Sequence, residues 1–261
     1  MRFLLLAALA PLLTDAQPSA PKFEVASIKP APTRPSHVGI KLDGARVDIG
    51  YWSLKQLLLR AYALQPAQVS GPDWLDTARF DILARIPAGA TPDQLPQMLQ
   101  SLLADRFRLV AHRETRPLPA YALIVAKGGP RMKRAASDSG EPQPVDTGRI
   151  LDSLWSGEAA ERPFGLTASH VDGADLHLEF AKLPLSALAQ IVASYLRTPV
   201  IDDTRLAGTY QATLDFSIGS SPEGDASIVS TVQRLGLKLE RRTAALTVLV
   251  VDRVERTPTE N

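Results

Sequence analysis

The sequence predicts an α+β protein: a tandem duplication of a β-α-β-β-α-β-β module, with small mixed sheets packed on two helices in each copy. Two observations lead there. Apolar positions recur at a nearly constant offset, and within each copy the apolar period switches between strand and helix. Val47, Ile49, Leu54, Leu57 and Leu58 fall on Leu178, Phe180, Leu185, Leu188 and Ala189, each 131 residues later. Val69 and Leu75 fall on Val200 and Leu206 at the same offset. An offset of 130 then places Phe80, Met98, Leu99, Leu102 and Phe107 on Tyr210, Ile228, Val229, Val232 and Leu237. A shorter hairpin takes it to 125, where Tyr121, Leu123 and Val125 meet Leu246, Val248 and Val250. The competing reading is two α+β domains whose patterns coincide by chance.

In the first copy, Ala45–Ile49 alternates as a strand, and Ser53 with Gln56 forms a capping box. The helix it opens carries Leu54, Leu57, Leu58, Ala61 and Tyr62 on one face. Gly71-Pro72-Asp73 leads to a strand over Arg79–Arg85. Thr91 and Gln94 make a second capping box around Pro92, opening a helix in which Pro96 costs a backbone bond or shifts the start. A hairpin of Phe107–His112 and Ala120–Lys127 closes the copy. In the second copy the strand is Asp175–Ala181 and the helix runs from Pro184 to Arg197. Strands at Pro199–Ile201 and Gly208–Ser217, a helix from Asp225 to Leu235 ended by Gly236, and a hairpin of Leu237–Arg242 and Ala245–Arg253 complete it.

The resulting organisation is a signal over 1–16, a first module over 17–127, a linker over 128–168, a second module over 169–254 and a frayed tail over 255–261. Met1-Arg2, an apolar run from Phe3 to Leu13 and Thr14-Asp15-Ala16 have the anatomy of a secretory signal peptide. The run is too short to span a bilayer, which takes about 20 residues. The mature chain is expected to begin at Gln17, outside the cytoplasm. The segment Phe23–Lys29 reads as a strand added to one sheet, and Leu151, Leu154, Trp155 and Phe164 tack the linker down.

The chain has no cysteine, which excludes disulfides, thiolate metal sites and a cysteine nucleophile. With 29 basic and 28 acidic residues and no basic stripe, nucleic-acid binding has no support. No other apolar run is long enough to cross a membrane.

Several motifs together resemble a known family. They are Phe23-Glu-Val-Ala-Ser-Ile-Lys-Pro30, Gly71-Pro-Asp-Trp-Leu-Asp76, Leu102-Leu-Ala-Asp-Arg-Phe-Arg-Leu109 and Tyr121-Ala-Leu-Ile-Val-Ala-Lys-Gly-Gly-Pro130. They are similar to an uncharacterised, paralogue-rich secreted family of soil bacteria, a domain of unknown function. The resemblance implies export and an envelope location, and no catalytic residue comes with it. A narrower likeness lies in Leu183-Pro-Leu-Ser-Ala-Leu-Ala189, Pro199-Val-Ile-Asp202, Leu206-Ala-Gly-Thr-Tyr210 and Leu235-Gly-Leu-Lys-Leu239. These resemble the short N-terminal module of secretins and TonB-dependent receptors, which implies a periplasmic signalling or docking unit.

The search for chemistry returns little. None of the histidines at 37, 112, 170 and 177 has metalloprotease spacing. His170 and His177 stand near Asp172, Asp175 and Glu179, and Asp202-Asp203 form a carboxylate pair best read as a turn cap. No nucleophile elbow or phosphate loop appears. The expectation is a non-enzymatic envelope protein without cofactor or metal that docks a protein partner on an open strand edge. Leu237, Leu239, Leu246, Val248 and Trp74 are the candidate partner surface. The alternative is a small-molecule sensor or carrier with a cleft between the modules, and a hydrolase with scattered residues is a third.

Overall fold

The computed structural model describes residues 20–135, 163–172, 175–217 and 222–259; the signal read over 1–16 and Leu151, Leu154 and Trp155 lie outside them. In chain order the first half gives β1 (Val25–Pro30), β2 (Gly39–Asp43), β3 (Arg46–Ser53), α1 (Leu54–Tyr62), β4 (Val69–Ser70), β5 (Arg79–Arg85), α2 (Leu95–Phe107) and β6 (Val110–Val125). The second half gives β7 (Lys133–Arg134), β8 (Leu166–Asp172), β9 (Asp175–Pro184), α3 (Leu185–Leu196), β10 (Val200–Asp202), β11 (Thr209–Ser217), α4 (Pro222–Arg234) and β12 (Leu237–Arg253). The class is α+β, with three four-stranded sheets among the described residues.

The outer sheets run β1-β5-β3-β2 and β7-β11-β9-β8, and the central one runs β10-β6-β12-β4. From β3 to β6 and from β9 to β12 the order of elements is the same, β-α-β-β-α-β. The central sheet draws on both halves. β6 and β12 pair antiparallel from Val110↔Arg253 to Val125↔Leu237. Each short strand then adds in parallel to the other half's long strand, β4 to β12 at Val69↔Leu249 and β10 to β6 at Val200↔Tyr121.

That exchange decides the cores. Leu249 and Val251 of β12 are buried among α1, α2, β3 and β5, in the first-half core. Leu123 of β6 is buried with α3, β9 and β11, in the second-half core. Burying side chains of this size contributes about 1.5–3 kcal/mol each, so each half draws part of its stability from a strand of the other.

Local signals explain the helices. Ser53 Oγ accepts from Gln56 N at 3.2 Å while Gln56 Oε1 accepts from Ser53 N at 2.8 Å, the reciprocal cap of α1. The Thr91–Gln94 box opens a 3-10 turn, and α2 proper starts at Leu95. Pro96 therefore sits in the first turn, where its missing N–H costs no intrahelical bond.

Three expectations need correction. The two closing hairpins are each one long strand, of 16 and 17 residues, so the unit is β-α-β-β-α-β rather than β-α-β-β-α-β-β. Pro117 and Pro119 lie within β6, which has a neighbour on one side only at these positions, where a strand tolerates proline. Part of the supposed linker over 128–168 is strand: β7 pairs with β11, β8 pairs with β9, and Phe164 packs on the second core. The tail is not frayed through Thr259: Glu255 N donates to Phe107 O and Thr259 N to Arg106 O, occupying carbonyls at the end of α2. The β2 strand went unread although Asp43-Gly44 marks its turn, with φ +55 at Gly44.

At the end of α4, Gly236 has φ +76, and a methyl group there would stand 2.2 Å from Gly129 O. The Gly128-Gly129-Pro130 run is thereby fixed on the helix terminus. Gly236→Ala is expected to cost about 2–5 kcal/mol in urea unfolding, from left-handed strain plus overpacking. Gly89→Ala, with φ +84 and nothing within 4 Å, carries only the backbone cost of about 1–2 kcal/mol. Equal losses at the two positions would contradict the close-packing account.

Candidate functional site

A concavity of about 1070 Å³ lies between the halves, with α1 and the turn after it on one side and the C-terminal part of α3 with β10 on the other. Leu59, Ala63 and Pro66 line it from the first half, and Gln190, Ser194 and Arg197 from the second. At the sequence offset of 131 Leu59, Ala63 and Pro66 fall on Gln190, Ser194 and Arg197, although α3 runs one turn longer and Pro66 lies in the 3-10 turn beyond α1. Leu246, in the middle of β12, also lines it. Cross-strand partners share a face of a sheet, and the ribbon has two unlike faces. Pro117, Pro119, Thr243, Ala245 and Thr247 are exposed, whereas Leu118, Ala244 and Leu246 are half-buried and Val248 is buried.

One end of the cleft is organised by an irregularity in β3. The pairing with β5 shifts between Ile49 and Trp52, and Tyr51 in the bulge has φ +58. Such a backbone costs about 1–2 kcal/mol for a non-glycine residue, and several contacts hold it. Tyr51 N donates to Asp81 Oδ1 at 2.8 Å. Arg79 Nη1 donates to Tyr51 O at 3.1 Å and to Gln56 Oε1 at 3.3 Å, with the guanidinium carbon 4.8 Å from the Tyr51 ring centroid. Trp52, Gln56 and Arg79 all line the cleft beside Lys55, whose Nζ pairs with Asp76 at 3.0 Å. Arg197 caps α3 in the left-handed region, φ +49, as Ala63 caps α1 at φ 52.

The residues singled out from sequence scatter. Leu237 and Val248 are 0% and 1% exposed, which corrects their assignment to a partner surface: both are core. Leu239 packs half-buried against the second core, Trp74 against the first, and Leu246 alone of the five lines the cleft. The Asp202 carboxylate accepts from Thr204 N at 3.0 Å and Thr204 Oγ1 at 2.7 Å, a turn cap. Asp203 pairs with Arg242 at 2.8 Å. His112 Nδ1 pairs with Asp252 at 2.9 Å on the exposed ribbon. Among the described residues no cluster of three or more His, Asp or Glu side chains is arranged to hold a metal ion. Burial pushes the Tyr195 phenol up to about 12, leaving it a neutral core group stacked edge-on against Phe216 at 4.5 Å. Sequence reasoning missed Gln56, Arg79, Gln190, Ser194 and Arg197. The 131 offset relates Gln190, Ser194 and Arg197 to Leu59, Ala63 and Pro66, but Gln56 falls on buried Ala187 and Arg79 on buried Tyr210, so no such signal marked those two.

An α+β chain whose two halves share a central sheet and flank a cleft is the class that these features define. Residues 55–254 match the family described as "Protein of unknown function (DUF3738)", and the chain belongs to that family. No curated protein and no solved structure matches it. No helix among the described residues is long and apolar enough to cross a membrane.

A second, smaller concavity, about 290 Å³, lies at the outer sheet of the second half beside His177. His177 is paired in register with His170 across β8 and β9. Its Nδ1 meets the Asp215 carboxylate and its Nε2 lies 3.3 Å from Glu179 Oε1. The Asp215 bond, then the Glu179 bond, raises the His177 pKa above its ordinary 6.5. The folded pKa exceeds the unfolded one, so the stabilising contribution is complete below about 6.5 and is lost as pH rises through the folded value. In Asp215→Asn the His177 titration followed by NMR is expected to move down toward the ordinary value, and an unmoved titration would contradict the assignment.

Proposed function

We propose that this is a non-enzymatic, extracytoplasmic binding protein that takes its ligand in the cleft between its two halves. The observation carrying this reading is the cleft itself, which both halves line, with apolar and polar side chains interleaved. The apolar run and small-residue exit at residues 1–16 support export. The shared order of elements and the exchange of short strands support an origin by tandem duplication, which would place the cleft between duplicated helices. The state of His177 supports a non-catalytic role: carboxylates engage both ring nitrogens, leaving neither for a nucleophile.

A ligand that binds only the folded state raises its stability by mass action. A metabolite screen by thermal shift should therefore yield stabilising compounds. Ser194→Trp, which fills the cleft from the half-buried face of α3, should abolish each shift while preserving the circular dichroism spectrum. Shifts that survive Ser194→Trp would locate binding elsewhere.

One observation favours a second reading, docking of a partner strand. On the side away from β6, β12 is paired with β4 only at Leu249 and Val250. Antiparallel pairs alternate between bonded and unbonded positions. Pro117 and Pro119, having no N–H, fit unbonded positions, so their partners Ala245 and Thr243 turn their N–H groups outward. The prolines block augmentation on β6, and the middle of β12 has none. Ala245→Pro is expected to remove capture of an envelope partner from intact cells by cross-linking, with the protein still folded. Undiminished capture would eliminate this edge.

A further inference from the structure

Contacts on both sides of the ribbon fix which backbone groups of β12 face away from β6. Gln68 Nε2 donates to Thr247 O at 2.9 Å, and β4 joins the same edge at Leu249. On the other side Tyr121 N donates to Pro199 O at 2.9 Å and Leu123 O accepts from Asp203 N at 3.0 Å, so Tyr121 and Leu123 turn away from β12. Their partners Arg241 and Leu239 therefore turn away from β6. The direction alternates along a strand, so Thr243 and Ala245 turn outward too, in agreement with the prolines opposite them. Among the described residues no strand pairs with this edge of β12 between Leu239 and Thr247. The stretch Thr243-Ala-Ala-Leu-Thr247 has neither charge nor proline, the usual guards of an open edge.

The free edge runs into the cleft. Gln68 and Leu246 both line the cleft, and Gln68 is the side chain bonded to Thr247 O. A strand laid beside β12 sets its residues opposite Ala244 and Leu246 on the same face as those two. Leu246 turns that face to the cleft, which Leu59, Leu64 and Ile201 also line, so alternate side chains of such a strand meet apolar walls. The side chains between them lie with Thr243 and Ala245 on the exposed face. Backbone pairing at an edge supplies affinity, and pockets for alternate side chains supply specificity. Here the two occur in one place.

Resting on the cleft-binding reading above and joining it to the strand edge, we infer that the ligand is a polypeptide segment. It is extended and free of proline, pairs its backbone with Thr243 and Ala245, and puts apolar side chains at alternate positions into the cleft. A phage-displayed library of short peptides selected on the protein is expected to yield sequences apolar at every second residue. The selected peptides are then synthesised and titrated. A strand bound along one edge uses every second N–H. N-methylation at one alternate set of residues is therefore expected to weaken binding about tenfold, and at the other set to change it by less than about twofold. This substitution is made in the peptide, so the fold of the protein is untouched. Equal effects of the two methylated sets would overturn strand pairing. Ala245→Pro and Ser194→Trp are each expected to weaken the unmethylated peptide by about tenfold. Binding that survives either substitution would overturn the inference: survival in Ser194→Trp leaves edge docking alone, and survival in Ala245→Pro leaves the cleft alone. A library without enriched sequences would also overturn it, and the metabolite screen then decides whether cleft binding itself stands.

Discussion

The antiparallel pairing of β6 with β12 is the interaction on which the rest depends. It runs from Val110↔Arg253 to Val125↔Leu237, and the ends of the two strands do different work from the middle. At one end Leu249 and Val251 close the first core; at the other Leu123 closes the second. The middle packs on no core and shows Thr115, Pro117, Thr243 and Ala245 to solvent. Hydrophobic burial at both ends holds a ribbon whose centre has backbone bonds for support. A chain of this length without cysteine can be stable because both cores are filled by strands from across the molecule.

The cleft follows from that arrangement. Once each long strand enters the opposite core, β4 and β10 are carried to the outer sides of the ribbon, and α1 and α3 come to flank Leu246. Part of each wall of the cleft is helix, α1 on one side and α3 on the other, and helices fixed by buried faces hold side chains in place. Leu54, Leu57 and Leu58 of α1 and Leu188, Ile191 and Val192 of α3 are all buried. The polar side chains between them are therefore presented from a rigid frame. Tyr51 is the strained point in it, and its partners Asp81 and Arg79 both come from β5, the strand beside it.

Much of the fold was legible, for reasons specific to particular residues. Ser53 and Gln56 announce α1 because a reciprocal cap depends on residues three apart. The alternation of Leu176, Leu178 and Phe180 announces β9 because one face is buried. The α+β class and the N-terminal strand at Val25–Pro30 followed from patterns of this local kind. What failed was non-local. Pro117 and Pro119 fit within β6 only once its open side is known, and Lys133-Arg134 has no strand signal beyond its pairing with β11. Leu237 and Val248 looked like surface on a hairpin and are core because the hairpin does not exist. The cleft was least legible, since Arg79, Ser194 and Arg197 are ordinary surface residues in sequence and converge only through the strand exchange.

The most direct test of that exchange is to express residues 20–135 and 163–259 as two separate chains in one cell and ask whether they copurify. The interlocked account predicts a one-to-one complex with native circular dichroism, and neither chain folded when produced alone. Leu249→Ala should weaken the complex, because it removes a side chain of one chain from the core of the other. Two independently folded, non-associating halves would contradict the account, returning the molecule to two modules on a linker and leaving the cleft without a fixed second wall.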